Sequence, residues 1–335
     1  MTWYDTLPKI ELHVHLEGAI PHKALFELIK KYGGDPTVPD LASLDKRFEY
    51  KNFPQFIDAW SWKNQFLREY EDFTYIAELT ARDMADQNIR YAELFYSPSL
   101  FVRHGLSIQK LTHAVRTGLA RVPEIEIALI ADLVRDYGPD FEMTTLKALT
   151  EVKEYGVLGI GLGGSEHKYP PGPFRSLFDL AREMGFNITA HAGEAAGAQS
   201  IWGAIRQLCV QRIGHGTRAW EDPELMEHIA ENKIPLELCP ISNVRTGVVK
   251  RITDHPIRTY FGYGLLISVN SDDPKMFNTS LADEYRVLVQ HCGFTKQEIC
   301  RIILLGIQSS WLSEDRKYAL IKNFELESSW RAIMS

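Results

Sequence analysis

The chain has 335 residues, of which 45% are hydrophobic and 24% are charged. These proportions are ordinary for a globular protein with a large core, and they exclude a mainly disordered chain. The formal net charge is −7 and no run of five or six like charges occurs, which argues against nucleic acid or an anionic membrane as a partner. We therefore expect a small-molecule partner.

The sequence shows no pattern typical of export or membrane insertion. Its start, MTWYDTLPKIELHVH, contains no basic region followed by an apolar stretch, and nowhere do about 18 apolar residues follow one another without a charge. The four cysteines, at positions 209, 239, 292 and 300, have no CxxC spacing, a pattern typical of reduced thiols. These features predict a cytoplasmic protein that does not cross a membrane.

Short β-rich segments alternate with amphipathic segments along the chain. The predicted strands are residues 10–15, 89–96, 125–133, 157–162, 187–191, 212–215, 235–238 and 265–270. Between most of them, apolar residues three and four apart predict helices, as at 108–122, 174–184 and 223–232. Parallel strands need crossover connections, so this order predicts an α/β fold, a (β/α)8 TIM barrel that fills residues 1–335 as one domain. A doubly wound open sheet is the alternative.

The interval between the first two strands, about residues 20–88, is longer than one crossover helix requires. We interpret it as a helical insertion that covers the mouth of the barrel. Its middle is strongly aromatic, with Phe53, Phe56, Ile57, Trp60, Trp62 and Phe66. These side chains either pack the insertion onto the barrel or line a pocket.

Residues that can bind a metal follow several of the predicted strands. His13 and His15 are two apart on the first strand, so both imidazoles point to the same side. His191 closes the fifth strand and Asp272 follows the eighth, and active sites of such barrels lie at the C-terminal ends of strands. Three imidazoles and one carboxylate are suited to a catalytic zinc ion that keeps one position for water. We therefore expect one Zn²⁺ per chain.

Three further polar residues stand at the same strand ends. Glu194, three residues after a candidate ligand, is placed to pass a proton to the substrate. His215 and Asp273 are candidates to orient or deprotonate the water.

Gly159 to Gly164 match the pattern G-x-G-x-x-G after a strand. A dinucleotide site needs a helix that starts within the glycines, but residues 165–173 contain three prolines. The glycines instead predict a place where backbone N–H groups approach a flat ligand closely.

The motifs of this chain, taken together, resemble the motif series of adenosine deaminases. They are ELHVHLEG at 11–18, GLGGSE at 161–166, HAGE at 191–194, RIGHGT at 212–217, CPISN at 239–243 and SVNSDDP at 268–274. The resemblance implies a distorted barrel with one zinc held by His13, His15, His191 and Asp272. It also implies hydrolytic deamination of a 6-aminopurine.

The resemblance also implies roles for single residues. Glu194 would protonate purine N1, His215 would assist the water, Asp273 would contact N7, and the Gly164 N–H would bind N3. Residues 53–60 resemble the family's apolar gate, which makes Phe53, Phe56, Ile57 and Trp60 candidate substrate contacts.

Two departures from the commoner family motifs concern the substrate. Where many adenosine deaminases read HLDG and LAGDE, this chain has Glu17 and Ser165. The aspartate of HLDG contacts the sugar's 5′ side, so Glu17 predicts a changed contact there and a pocket that accepts a 5′-substituted adenosine. Arg135 and Arg103, near strand ends, either meet a substrate carboxylate or make surface ion pairs.

We therefore expect a purine nucleoside as substrate, with 6-aminodeoxyfutalosine and then adenine as alternatives. A binuclear amidohydrolase is a second class, but it needs a bridging lysine or glutamate at the end of the fourth strand. Here glycines end that strand, and Glu166 and Lys168 follow in the loop. A non-catalytic metal-binding barrel is a third class. The sequence gives no indication of the oligomeric state.

Overall fold

Eight parallel strands form the centre of the protein in the computed structural model, which describes residues 2–335. They are β1 (Lys9–His15), β2 (Ile89–Tyr96), β3 (Glu126–Val134), β4 (Val157–Gly163), β5 (Asn187–Ala192), β6 (Arg212–His215), β7 (Leu236–Leu238) and β8 (Ile267–Val269). Each strand pairs with the next one along the chain. This order confirms the predicted (β/α)8 barrel and excludes a doubly wound sheet, in which the strand order reverses.

The barrel closes irregularly between its last and first strands. Val14 and Asp272 form an isolated parallel bridge. The His15 N–H donates to the Asp272 carbonyl at 2.8 Å, and the Asp272 N–H donates to the His13 carbonyl at 3.0 Å. Asp272 lies beyond the end of β8. The backbone groups that close the barrel here therefore belong to His13, His15 and Asp272, which are also candidate metal ligands.

Helices connect the strands and cover the outside of the barrel. The α-helices are α1 (Trp3–Thr6), α2 (His22–Lys31), α3 (Leu41–Arg47), α4 (Phe53–Lys63), α5 (Tyr70–Asp86), α6 (Ile108–Leu119), α7 (Gly138–Thr150), α8 (Arg175–Glu183), α9 (Ala198–Gly203), α10 (Pro223–Glu231), α11 (Pro240–Arg245), α12 (Ile257–Tyr263), α13 (Pro274–Phe277), α14 (Leu281–His291), α15 (Lys296–Ser309), α16 (Glu314–Leu326) and α17 (Ser328–Met334). Across residues 2–335, no helix has both the length and the apolar character that spanning a bilayer requires.

The helical insertion lies between β1 and β2 and consists of α2 to α5, which confirms the helical insertion predicted after the first strand. Helix α4 begins after Asn52, whose side chain accepts from the Gln55 N–H at 3.1 Å. Phe56, on the buried side of α4, stacks on Phe277 with ring centroids 5.1 Å apart. Because Phe277 follows β8, this contact holds α4 over the C-terminal end of the barrel.

Candidate active site

Four candidate metal ligands converge at the C-terminal end of the barrel. His13 and His15 come from β1, His191 from β5, and Asp272 from the residues after β8; all four are buried. Their ligand atoms all lie within 4.8 Å of one another. The Nε2 atoms of His15 and His191 are 3.2 Å apart, and Asp272 Oδ1 lies 3.5 Å from His15 Nε2 and 3.7 Å from His13 Nε2.

These distances fit a metal ion. Ligands bound tetrahedrally to zinc at its usual bond lengths lie about 3.3 Å from one another. His13 Nε2 is buried and has no hydrogen-bond partner among the described residues, which is destabilising unless a metal or another group completes it. Burial lowers the pKa of His15 to about 3 and those of His13 and His191 well below the usual range. The imidazoles are therefore neutral, the form that binds a metal.

A second group of charged residues supports His13 from within the barrel. His13 Nδ1 donates to Glu237 Oε2 at 2.7 Å. Arg212 pairs with Glu237 at 2.7 Å and with Glu93 at 2.5 Å, and all three side chains are buried. A carboxylate bonded to the far nitrogen of a ligating imidazole fixes the orientation of its ring. These residues were not predicted from the sequence, although charged residues inside the apolar segments of β2 and β7 were a usable signal.

The turn after β8 is unusual in its backbone and its packing. Asp272 has a φ of 63°, in the left-handed region that few residues other than glycine adopt. The Ser271 N–H just before it donates to the buried Glu11 carboxylate at 2.7 Å. A Cβ atom on Gly18 would lie 1.7 Å from Asp273 Oδ1, so only glycine at position 18 leaves room for Asp273.

Glu194 lies beside the ligand cluster, with His215 Nε2 3.5 Å from its carboxylate. The neighbouring Glu166 accepts hydrogen bonds from the N–H groups of Gly193 at 2.6 Å, Glu194 at 3.1 Å and Ala196 at 2.9 Å. Burial raises the pKa of Glu194 to about 8, and the Glu166 carboxylate adds to this shift. Glu194 is therefore mainly protonated at neutral pH.

Asp273 connects the site to the insertion. Its Oδ1 accepts from the Trp60 indole N–H of α4 at 3.3 Å. The ammonium group of Lys63 lies over the Trp60 ring, 4.7 Å from its centre. Lys63 is buried, and burial lowers its pKa to about 8. Lys63 was not predicted from the sequence, because a lysine near the end of an amphipathic helix is ordinarily exposed.

A cleft lies above these residues, with a volume of about 90 Å³ that leaves out the open space at its mouth. Its lining residues are His15, Phe53, Phe56, Ile57, Trp60, Ser97, Leu100, Asp132, Val134, Gly164, His191, Glu194, His215, Asp272 and Asp273. The structure thus brings all four gate residues to the cleft, together with Gly164 and the polar residues of the strand ends. Among residues 2–335, no lysine or arginine lines it.

Three residues that we expected near the 5′ side of the substrate's sugar lie outside the cleft lining. Arg135 is fully buried, and its guanidinium donates to the carbonyls of Tyr169 (2.8 Å), Leu162 (3.3 Å) and His191. It is therefore not free to bind a substrate carboxylate, and that prediction needs correction. Arg103 is exposed in the short helix after β2.

Glu17 also lies outside the cleft lining. Its Oε1 accepts from the Ser97 N–H at 2.9 Å, and its Oε2 is buried without a hydrogen-bond partner in the described chain. Glu17 thus supports the wall at Ser97, and a direct contact with the sugar does not follow from its position.

Comparison with known proteins places this chain in a family. The family model described as adenosine deaminase matches residues 8–325. The chain belongs to the adenosine deaminase family. It is therefore a deaminase and a hydrolase that acts on carbon–nitrogen bonds, in a family whose members depend on a metal.

Its curated relatives carry three different substrate names. The adenine deaminase of Bordetella avium is 33% identical, covering 92% of this chain and 98% of the relative. The aminodeoxyfutalosine deaminase of Streptomyces coelicolor is 33% identical, covering 93% and 82%. The adenosine deaminase of Yersinia pseudotuberculosis is 35% identical, covering 94% and 96%. Such similar identities do not separate the three substrates.

Solved structures agree with this family assignment. The crystal structure of adenine deaminase from Arthrobacter aurescens has a TM-score of 0.91 and 31% identity, covering 95% of this chain and 98% of that one. An amidohydrolase from Burkhoderia ambifaria, described with bound Zn, has a TM-score of 0.88 and 29% identity, covering 97% and 92%.

Proposed function

We propose that the protein is a zinc-dependent deaminase of 6-aminopurine nucleosides, which converts an adenosine-type substrate and water to an inosine-type product and ammonia. One observation carries the proposal. A carboxyl group with a raised pKa, that of Glu194, lies beside a cluster of three imidazoles and one carboxylate at the floor of an apolar cleft. A related amidohydrolase described with bound Zn supports zinc as the ion.

His13, His15, His191 and Asp272 would hold one zinc ion per chain. When bound, zinc lowers the pKa of a coordinated water to about 7 and so supplies a nucleophile at neutral pH. Glu166 does not bridge to a second ion, because its carboxylate is occupied by three backbone N–H groups. This geometry supports one ion and argues against the binuclear amidohydrolase.

The residues around the cleft act on the purine ring. Protonated Glu194 donates to N1, which draws electrons from C6 and favours attack there. His215 orients and deprotonates the attacking water, and Asp273 binds the N7 edge. The Gly164 N–H binds N3. The apolar side chains Phe53, Phe56, Ile57 and Trp60 cover the ring and exclude bulk water.

The cleft favours a neutral nucleoside over 6-aminodeoxyfutalosine and over free adenine. The described residues offer no cation in the lining for the carboxylate of 6-aminodeoxyfutalosine, and Arg135 is occupied by carbonyl groups. Free adenine would leave the wall beyond the ring, which includes Leu100 and Val134, without a contact. We therefore assign adenosine itself, rather than a 5′-substituted nucleoside, as the best candidate substrate.

The test is a panel assay of ammonia release. It compares kcat/KM for adenosine, 2′-deoxyadenosine, 5′-methylthioadenosine, 6-aminodeoxyfutalosine and adenine, because this ratio reports discrimination in the transition state. We expect adenosine to be the best substrate and adenine to be poor. A higher kcat/KM for 6-aminodeoxyfutalosine than for adenosine would overturn the assignment of an unsubstituted 5′ position. A higher value for adenine would overturn the assignment of a nucleoside substrate.

A further inference from the structure

One polar group of the cleft has no role in the reaction described above. Asp132 lies near the end of β3 and lines the cleft, although only 6% of its side chain is exposed. Its Oδ1 is buried and makes no hydrogen bond within residues 2–335. His191 Nδ1, also buried and unpaired in that part of the chain, is 3.9 Å away, beyond hydrogen-bond distance.

Space for this carboxyl group is provided by the glycines of β4. A Cβ atom on Gly161 would lie 2.6 Å from Asp132 Oδ1, and one on Gly163 would lie 2.2 Å from Oδ2. Any larger residue at either position would displace the carboxyl group. Gly161 and Gly163 therefore make room for the Asp132 side chain, whereas Gly164 in the same segment lines the cleft.

The surroundings of Asp132 leave its Oδ1 without a hydrogen-bond partner among residues 2–335. Burial raises the pKa of its carboxyl group, and the Glu17 carboxylate adds to this effect. Arg135 is close enough to oppose that shift, but it donates to three backbone carbonyls. Buried polar groups are nearly always hydrogen-bonded, so an unpaired one on a residue that lines a cleft indicates a bond to a ligand.

The contacts proposed for the purine ring indicate which part of the substrate Asp132 would bind. In the proposed function Gly164, Glu194 and Asp273, which line the cleft, would bind N3, N1 and N7 of the purine, and this leaves the substituent on N9. A hydroxyl group can donate to an ionised carboxylate or accept from a protonated one. Asp132 can therefore bind a hydroxyl in either protonation state, whereas its ionised form repels a phosphate or carboxylate.

We propose that Asp132 determines substrate specificity by forming a hydrogen bond with one hydroxyl group of the sugar on N9 of the purine. This inference rests on the proposed function, in that it requires a 6-aminopurine nucleoside as substrate. This hydrogen bond selects for a substrate with a neutral sugar that bears hydroxyl groups.

The test compares the wild type with Asp132→Ala on adenosine, its 2′-, 3′- and 5′-deoxy analogues, and 9-methyladenine. A hydrogen bond to a charged group corresponds to about 10- to 150-fold in kcat/KM. We expect the wild type to lose about this factor with one deoxy analogue. Asp132→Ala should lose the same factor with adenosine but less than about threefold with that analogue. It should keep its metal content.

Two further variants separate specificity from structural damage. Asp132→Asn keeps the shape of the side chain and should show a smaller loss with the same preference. Val134→Ala, on the same strand and in the same wall, should lower kcat/KM about equally for all nucleosides. Thermal unfolding shows whether each variant is folded.

Two results would overturn the inference. One is a uniform loss on all substrates with reduced metal content, which would mean that Asp132 acts through His191. The other is that the loss in kcat/KM with each deoxy analogue is the same in the wild type and in Asp132→Ala. If the wild type instead deaminates only adenine, or no purine at all, the proposed function itself fails, and this result is distinct from both.

Discussion

The substitution Glu194→Gln tests the proposed acid directly. Because burial raises the pKa of Glu194 to about 8, about nine in ten of its carboxyl groups are protonated at pH 7. Glutamine is nearly isosteric but has no acidic proton to give to N1. General acid–base catalysis contributes about 10²- to 10⁴-fold, so kcat with adenosine should fall by at least this factor. The measurement is ammonia release under saturating substrate, together with metal content.

Metal content separates this effect from loss of the ion. Glu194→Gln should retain its zinc, whereas His191→Ala should lose it. Glu227, exposed on α10, provides a matched control, since Glu227→Gln should have wild-type activity. Near-normal turnover by a folded, zinc-loaded Glu194→Gln protein would refute the assignment of Glu194 as proton donor.

Further results are expected from the zinc content, from the pH profile and from three substitutions. Freshly purified protein should contain about one zinc per chain, and activity that depends on a second ion would contradict this. Glu237→Gln should weaken zinc binding about 10- to 100-fold in a chelator competition, and unchanged affinity would remove its positioning role. In the proposed mechanism protonated Glu194 is the active form, so kcat/KM should fall about tenfold per pH unit above its pKa of about 8. Glu166→Gln removes a neighbouring negative charge and should move that fall to lower pH, whereas an unmoved profile would exclude this coupling. Trp60→Phe removes the N–H donor to Asp273 and should lower kcat/KM about 2- to 13-fold; an unchanged value would show that this bond is not needed.

The barrel could be predicted because its signals are local. Each strand is a short apolar segment, and a metal-binding or acidic residue follows directly after several of them. Residues two apart on one strand, such as His13 and His15, must face the same side. The barrel then brings the strand ends together, so residues far apart in sequence meet without any further information.

The supporting residues were harder to predict because their partners lie on other strands. Glu237 acts through His13 on β1 and Arg212 on β6, and spacing along β7 alone does not reveal these contacts. For Arg135, in contrast, the position in the sequence indicated a role that its contacts do not support. Its position after β3 was consistent with a substrate contact, but its guanidinium donates to three backbone carbonyls instead.

Carboxyl groups take different roles in this site because their neighbours differ. Burial raises the pKa values of both Asp272 and Glu194 to about 8. Asp272 Oδ1 lies 3.5 Å from a candidate ligand nitrogen, where a divalent cation would favour the charged form. Glu194 lies beside Glu166, whose negative charge favours the protonated form, and its 3.5 Å imidazole contact is His215, outside the four-residue cluster. An ionised ligand and a protonated acid can therefore stand in one cleft at neutral pH, which is the division of roles in the proposed reaction.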